Sequence, residues 1–261
     1  IAALMVGRTL EKVELPARKS PVTDQDLILS LKDVHVEMPG EAVRGLSLDV
    51  RRGEILGIGG LAGFGKVGIA NGVLGLYPRR GTIIKDGQPI PVGDPAAVLA
   101  RRMAFVSEDR RGVGLLLDES IALNMGLTAL QVVNRFRTRR FGIEVSDDQA
   151  LDAYARDRID GLAIKCTGPD QPVRRLSGGN QQKVCISRAL ALEPDLLFVS
   201  EPTRGVDVGA EDVDRGDVDG HQLFEAELRE VGRLLGLGRP NDAGDRHRRH
   251  PQDAGRSLDH E

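Results

Sequence analysis

A short apolar run that leads into a glycine-rich segment constrains the fold of this chain more than any other feature. Residues 54–58 have the sequence EILGI, and residues 59–66 continue as GGLAGFGK. The apolar run is typical of a strand that is buried on both faces, and the pattern predicts a helix from the end of the loop through Leu74. Apolar residues alternate from Leu27 to Val36 and predict a strand there, and residues 103–106 predict another short strand. Residues 146–148 predict the start of a helix that continues through Ile159. Because strands alternate with helical stretches, we expect an α/β fold with a mainly parallel sheet.

The glycine-rich segment also predicts a phosphate site. Gly60-x-x-x-x-Gly65-Lys66 matches the P-loop spacing, in which bare backbone amides at a helix start face a phosphate and the lysine neutralises its charge. The P-loop pattern continues with Ser or Thr, whose hydroxyl binds Mg²⁺, but Val67 has no lone pair to offer. The alternative is an ordinary glycine-rich turn between a strand and a helix.

A second glycine-containing segment, LSGGNQQ at residues 176–182, predicts another helix start. Ser177 is a favourable N-cap. Gly178 and Gly179 leave bare amides in the first turn, where an anion can bind. The alternative is simply a capped helix.

A third segment, EPTRGVD at residues 201–207, follows a predicted buried strand at residues 196–199. A carboxylate at the carboxyl end of a strand can polarise an attacking water. Taken alone, a glutamate at the end of a strand is more often a solvated surface residue.

In this order, the three segments resemble the nucleotide-binding domain of an ABC transporter. Residues 60–66 resemble its P-loop, residues 176–182 its signature motif, Glu201 its catalytic glutamate and Asp207 its D-loop aspartate. Glu108, in the segment VSEDR, stands where most ABC domains carry the glutamine of the Q-loop.

The resemblance narrows to the second ATPase half of monosaccharide importers, in which two ATPase domains share one polypeptide. The segments that carry it are residues 4–8, 53–58, 107–111, 176–183 and 201–210. It implies a P-loop NTPase fold of ABC type, with a mainly parallel sheet core, an antiparallel β edge and a helical subdomain.

The same resemblance implies the cofactors ATP and Mg²⁺ and a set of partners. These are a second ATPase domain, normally fused N-terminally, transmembrane permease subunits and, indirectly, a substrate-binding protein. It places the chain peripherally on the cytoplasmic face of the membrane. The transported sugar is not specified.

The resemblance also assigns roles to residues. Glu201 and Glu108 are the expected catalytic residues, and no residue is assigned as a metal ligand. The expected nucleotide-binding residues are Gly60, Gly63, Gly65, Lys66, Val67, Gly68, Ser177, Gly178, Gly179 and Asp207. In the family, the signature residues act on nucleotide held by the partner domain.

Three departures from the family pattern predict that the chain binds nucleotide but hydrolyses it poorly. Val67 replaces the Mg²⁺-binding hydroxyl, Ser200 stands where most ABC domains have Asp, and no histidine switch or β-type run follows Val208. The alternative function is therefore a degenerate half that supplies its signature motif to an active partner.

The resemblance divides the chain into three parts. Residues 1–25 are the expected linker from a preceding ATPase domain, and residues 26–210 the nucleotide-binding domain, with its helical subdomain at about 112–175. Residues 211–261 contain eight Arg, eight Asp and five Glu but no Ile, Lys or Thr. This tail is interpreted as partly disordered or as the product of a reading-frame shift; a genuinely divergent C-terminus is the alternative.

Composition excludes several other classes. The net charge of −3 argues against a nucleic-acid partner, and the aromatic content of 3% argues against sites built on stacked rings. The two cysteines favour a reducing compartment, with Cys185 expected to be a buried apolar residue. A basic cluster at Arg135, Arg137, Arg139 and Arg140 is predicted to be a solvated helix face or, alternatively, a contact with the permease or lipid headgroups.

Overall fold

The computed structural model describes residues 27–201, apart from the side chains of Arg110 and Arg111. The predicted linker, Asp207 and the atypical tail lie outside these residues. Eight strands are described: β1 (Leu27–Val36), β2 (Val43–Arg51), β3 (Arg79–Lys85), β4 (Gln88–Pro89), β5 (Met103–Val106), β6 (Arg137–Arg140), β7 (Ile143–Ser146) and β8 (Leu196–Val199). Five α-helices are described: α1 (Lys66–Val73), α2 (Pro95–Leu99), α3 (Ile121–Val132), α4 (Asp148–Gly161) and α5 (Gly178–Leu190).

An antiparallel sheet forms the N-terminal part of the described chain, in the order β2-β1-β3-β4. The alternation predicted for β1 is confirmed: Leu29, Leu31, Val34 and Val36 are all buried. The change from odd to even positions falls at a register shift between Leu31 and Val34, because a bulge moves the following side chains to the other face. Helix α1 packs on this sheet and completes the first apolar core.

Strands β5 and β8 form the parallel part of the described fold. They pair in register from Met103 opposite Leu196 to Val106 opposite Val199. Both strands have the predicted bounds, but the side chains of β8 are only half-buried rather than buried. The expected combination of a parallel pair, an antiparallel edge and a helical region is confirmed as an α/β fold.

The helical region between β5 and β8 contains the second apolar core. Helix α5 packs on α3 and on β5, and α4 packs on α3. The start predicted for α4 is confirmed, since Asp147 caps the helix by accepting a hydrogen bond from the amide of Ala150 at 2.9 Å. Cys185 is buried here, as expected.

The prediction of a buried strand at residues 54–58 was wrong. The segment has no regular structure, and Ile55, Leu56 and Ile58 are 84%, 40% and 45% exposed. A central strand needs neighbours that accept its N–H groups and donate to its carbonyls. Within residues 27–201 the parallel sheet consists of β5 and β8 alone, and neither pairs with this segment. Apolar character alone therefore did not produce the strand.

The prediction of a helix face around Arg137, Arg139 and Arg140 was also wrong. These residues lie in β6, which forms a hairpin with β7. The turn residues Phe141 and Gly142 have φ angles of 52° and 84°, as a two-residue hairpin loop with the matching twist requires. No helix of residues 27–201 is both long enough and apolar enough to cross a membrane.

Candidate functional site

The predicted P-loop leads directly into helix α1. Gly65 precedes the helix with φ +87°, a left-handed conformation that favours glycine. No side chain of residues 27–201 forms a capping hydrogen bond at the start of this helix. A Cβ on Gly65 would lie 2.8 Å from the carbonyl oxygen of Ala42, and one on Gly68 would lie 2.0 Å from the carbonyl oxygen of Glu41. Glycine is needed at both positions because the backbone of residues 41–43 packs directly against the loop and α1.

The loop amides bind a carboxylate from elsewhere in the chain. The amide of Gly63 donates to Oε1 of Glu41 at 2.7 Å, and the amide of Gly65 donates to Oε2 at 2.8 Å. Glu41 was not predicted as a site residue, because its partners lie 22 and 24 residues away and its neighbours give no signal. This geometry gives the loop the character of an anion site.

The structure brings together two residues that sequence analysis assigned to the site. Nζ of Lys66 lies 3.5 Å from Oε1 of Glu201, although the two are 135 residues apart. Both side chains retain contact with solvent, at 26% and 51% exposure, so the pair contributes little to stability. Glu201 has φ +46°, a conformation that non-glycine residues adopt rarely.

Glu108 lies at the same edge of the parallel pair. Glu108 follows β5 and Ser200 follows β8, so both sit at the carboxyl ends of parallel strands, where ligands bind in open α/β sheets. The hydroxyl of Ser200 donates to Oε2 of Glu108 at 3.4 Å, and the Ser200 amide donates to the carbonyl of Val106 at 2.9 Å. The edge therefore carries two carboxylates, a hydroxyl and the Lys66 ammonium.

The oxygen ligands of this edge partly suit Mg²⁺, which is usually bound by one or two carboxylates together with substrate phosphates. Glu108, Ser200 and Glu201 supply oxygen atoms. Val67 supplies none, and its carbonyl accepts from Nδ2 of Asn71 at 2.8 Å. No cluster of three or more His, Cys, Asp or Glu side chains able to hold a metal occurs among residues 27–201.

The signature segment begins helix α5 with its own cap. The hydroxyl oxygen of Ser177 accepts from the amide of Asn180 at 3.4 Å and from its Nδ2 at 3.0 Å. Asn180 is buried, and its Oδ1 accepts from the amide of Lys165 at 3.1 Å. A Cβ on Gly179 would meet nothing within 4 Å. The first turn of α5 is thus held by hydrogen bonds of Ser177 and Asn180, and the space beside Gly179 is empty of other atoms of the described chain.

The two glycine-containing helix starts belong to different cores. Helix α1 packs on the antiparallel sheet, whereas α5 packs in the helical core. The predicted site residues therefore form two groups: Lys66, Glu201 and Glu108 at the strand edge, and Ser177 with Gly179 at the start of α5. Gly60 stays with the first group, since a Cβ there would lie 3.7 Å from the Lys66 side chain.

Arg188 holds the signature helix in place, and sequence analysis missed it. Its guanidinium donates to the carbonyl of Asn124 at 2.7 Å, to Oδ1 of Asn124 at 2.8 Å and to the carbonyl of Gly114 at 2.6 Å. Burial lowers the pKa of Arg188 from its usual value. Arg188 thereby joins α5 to α3 and to the turn that follows Glu108. The one signal in the sequence was its position among apolar residues of α5.

The fold and this site define a P-loop protein of the α/β class. A bacterial ABC transporter cassette solved as a dimer has a TM-score of 0.59 at 21% identity, over 80% of this chain and 84% of that one. A cassette in a post-hydrolysis state, bound to ADP and Pi, also gives a TM-score of 0.59, at 20% identity. At this identity the likeness concerns the fold alone.

The family model for ABC transporters matches residues 43–204, and the chain belongs to the ABC transporter family. It is 39% identical to a candidate ribose/galactose/methyl galactoside import ATP-binding protein of Burkholderia cenocepacia, over 91% of this chain and 45% of that protein. It is 36% identical to a ribose import ATP-binding protein of Bacillus cereus, over 80% of this chain and 40% of that protein. The chain thus spans less than half the length of these curated relatives.

Proposed function

We propose that this chain is the ATP-binding C-terminal half of an importer for ribose, galactose or a related monosaccharide. The names of the relatives give the class of solute. The resemblance of the motifs to the second ATPase half, together with the partial coverage of the relatives, supports the assignment to one half. The importer would contain a second ATPase domain and transmembrane permease subunits, with a substrate-binding protein as an indirect partner. We expect the chain at the cytoplasmic face of the membrane.

The observation that carries the proposal is the pair of loop amides that bind a carboxylate. Amides that hold the Glu41 oxygens at 2.7 and 2.8 Å can hold phosphate oxygens by the same charge-assisted hydrogen bonds. Lys66 follows immediately and would neutralise the β- and γ-phosphates. The start of α1 adds its partial positive charge. These groups together would bind the triphosphate of ATP.

Glu201 is the residue we assign to water activation. Its carboxylate lies beside Lys66 at the strand edge, so it would face the terminal phosphate and accept a proton from the attacking water. Glu108 and Ser200 would orient the water and, with the phosphates, hold Mg²⁺, which supplies charge stabilisation when bound. Because Val67 contributes no ligand oxygen, we expect slow hydrolysis.

The signature segment would act on nucleotide held by the partner domain. Gly179 is open on its outer side, and the first turn of α5 is fixed by Ser177 and Asn180. The start of a rigid helix suits a phosphate that is presented from another domain. Closure of the two domains would bring this turn to the partner's nucleotide.

A second candidate function is a degenerate half that binds nucleotide and supplies its signature motif to an active partner domain, without efficient hydrolysis of its own. The residue that favours it is Val67, whose side chain cannot bind the cation. The two functions share every binding step and differ only in whether Glu201 acts as a catalyst.

ATP hydrolysis by the complete two-domain protein separates the two functions. If this site hydrolyses ATP, Glu201→Gln lowers its contribution to kcat about 100-fold or more, the effect expected for loss of a general base, while nucleotide affinity stays near the wild-type value. Glu193→Gln is the matched control, because it neutralises a carboxylate that pairs with Arg135 on the surface. Unchanged kcat in Glu201→Gln would remove the catalytic role and leave the binding half.

A further inference from the structure

Glu41 occupies the place in the P-loop where the phosphates of a nucleotide are expected. Each of its two carboxylate oxygens accepts a hydrogen bond from one amide, Oε1 from Gly63 and Oε2 from Gly65. Both glycines have positive φ, at +84° and +87°. A turn whose amides point to one side in this way forms a concave anion-binding nest. The carboxylate is therefore bound in the same manner as an oxyanion ligand.

The contact is fixed by the backbone as well as by the side chain. Gly68 allows the Glu41 carbonyl to approach α1, and Gly65 allows the same approach by Ala42. The amide of Glu41 donates to the carbonyl of Met38 at 3.1 Å, which closes a turn. The main chain that carries Glu41 is therefore already packed against the loop, so its carboxylate contacts the amides without a large movement.

A carboxylate and a phosphate cannot share these amides. Each amide has one proton to donate, and two anions within hydrogen-bond distance of the same nest repel each other strongly. Entry of a triphosphate thus requires the Glu41 side chain to leave. The departure is sterically simple because Glu41 is only partly buried and its side chain can turn towards solvent.

We propose that Glu41 is an internal competitor of the nucleotide, which holds the P-loop in the absence of nucleotide and sets its affinity for the phosphate chain. This inference rests on the proposed nucleotide-binding function. Glu41 lies in the connection between β1 and β2, so this part of the antiparallel sheet helps to determine the nucleotide affinity of the P-loop. Nucleotide binding then releases the Glu41 side chain from the loop, while the backbone of residues 41–43 stays packed against α1.

Calorimetric titration of the full chain tests this competition. The probes are ATP without Mg²⁺ and inorganic tripolyphosphate, which carries no base or sugar. Glu41→Gln keeps the shape of the side chain but removes its charge, and Glu41→Ala removes the competitor altogether. We expect the Kd for both probes to fall about tenfold in each variant, since a pair of charged hydrogen bonds no longer has to be broken.

Glu37→Gln is the matched control, because it removes the same charge from an exposed position four residues before Glu41. We expect its Kd to stay within about twofold of the wild-type value, as for a screened surface charge. If Glu37→Gln lowers the Kd as much as Glu41→Gln does, the change in affinity comes from net charge alone, and the inference is overturned.

The outcomes separate the inference from the function on which it rests. If the wild type binds both probes and the Glu41 variants bind them with equal or weaker affinity, Glu41 is no competitor, and the proposed function stands. If neither wild type nor variants bind either probe, the proposed function fails and the inference with it. Hydrogen exchange without nucleotide gives a second measurement: the amides of Gly63 and Gly65 should exchange faster in Glu41→Ala than in wild type.

Discussion

The starts of helices α1 and α5 show two ways of satisfying the same backbone groups. At α5 the cap comes from the adjacent residue, Ser177, and is supported by Asn180 within the first turn. At the loop before α1 the amides are bound by Glu41, which lies more than 20 residues earlier. The first arrangement is local and permanent. The second depends on tertiary contact, so a ligand can replace it.

The glycines at the two helix starts differ in the same way. Gly65 and Gly68 are required because the backbone of residues 41–43 fills the space beside them. Gly179 has open space where a side chain would be. The glycines at α1 therefore serve the packing of this chain, whereas Gly179 has no such packing contact and is available for the partner contact that we propose.

Lys66→Ala should have the largest effect on the α1 side of this comparison. Loss of the ammonium removes charge-assisted contacts to the phosphates, and we expect nucleotide affinity to fall about 100-fold. Calorimetry at millimolar ATP measures the change, and Lys32→Ala, on an exposed position of β1, is the control. Equal affinities in Lys66→Ala and wild type would refute the phosphate site. The melting temperature without nucleotide should change little, because the Lys66–Glu201 pair is partly solvated.

Substitution of glycine by alanine compares the two helix starts directly. Gly68→Ala forces a Cβ against the Glu41 carbonyl, and overpacking of this kind lowers the free energy of unfolding by about 2 kcal/mol. Gly179→Ala meets nothing, and alanine's higher helix propensity should raise that free energy by about 0.5 kcal/mol. Urea denaturation of both variants measures the contrast. Equal destabilisation by the two substitutions would contradict the different roles assigned to these glycines.

Ser177→Ala should have a smaller effect, confined to the α5 side. Loss of the cap leaves the Asn180 amide and its buried side chain without their acceptor, at a cost of about 1 kcal/mol in the free energy of unfolding. Thermal denaturation measures it, and Ser177→Asp is the control because it keeps an oxygen acceptor at the cap. ATP binding at Lys66 should be unaffected in both. A loss of binding there would mean that the two helix starts are coupled within one chain.

Local patterns were sufficient for several parts of the fold. The alternation of apolar residues predicted β1, short β-type runs predicted β5 and β8 with the observed bounds, and the cap residue Asp147 predicted the start of α4. Each of these features depends on residues that are neighbours in the sequence. The adjacency of Lys66 and Glu201 is consistent with their expected placement at one edge of an α/β fold.

The features that sequence analysis missed depend on partners that are distant in the chain. Residues 54–58 are apolar, but a strand forms only where other strands offer hydrogen bonds to its edges. The hairpin of β6 and β7 is an exception, because its partners are close in sequence; its turn at Phe141–Gly142 lacks the usual asparagine or aspartate, so a helix was predicted there. Arg188 donates hydrogen bonds to carbonyls that lie 64 and 74 positions earlier in the chain. No local pattern records such contacts.

The sequence by itself determined which residues are candidates for the chemistry: glycines at two helix starts, a lysine that follows the first of them, a serine that caps α5 and a glutamate after β8. These properties depend on side-chain type and on spacing of a few residues. Only the tertiary structure decided which groups bind one another, above all that Glu41 fills the anion nest of the P-loop. The physical reason is that an anion-binding loop selects its ligand by charge and position in space, and the chain's own carboxylate reaches that position through the packing of a distant turn against α1.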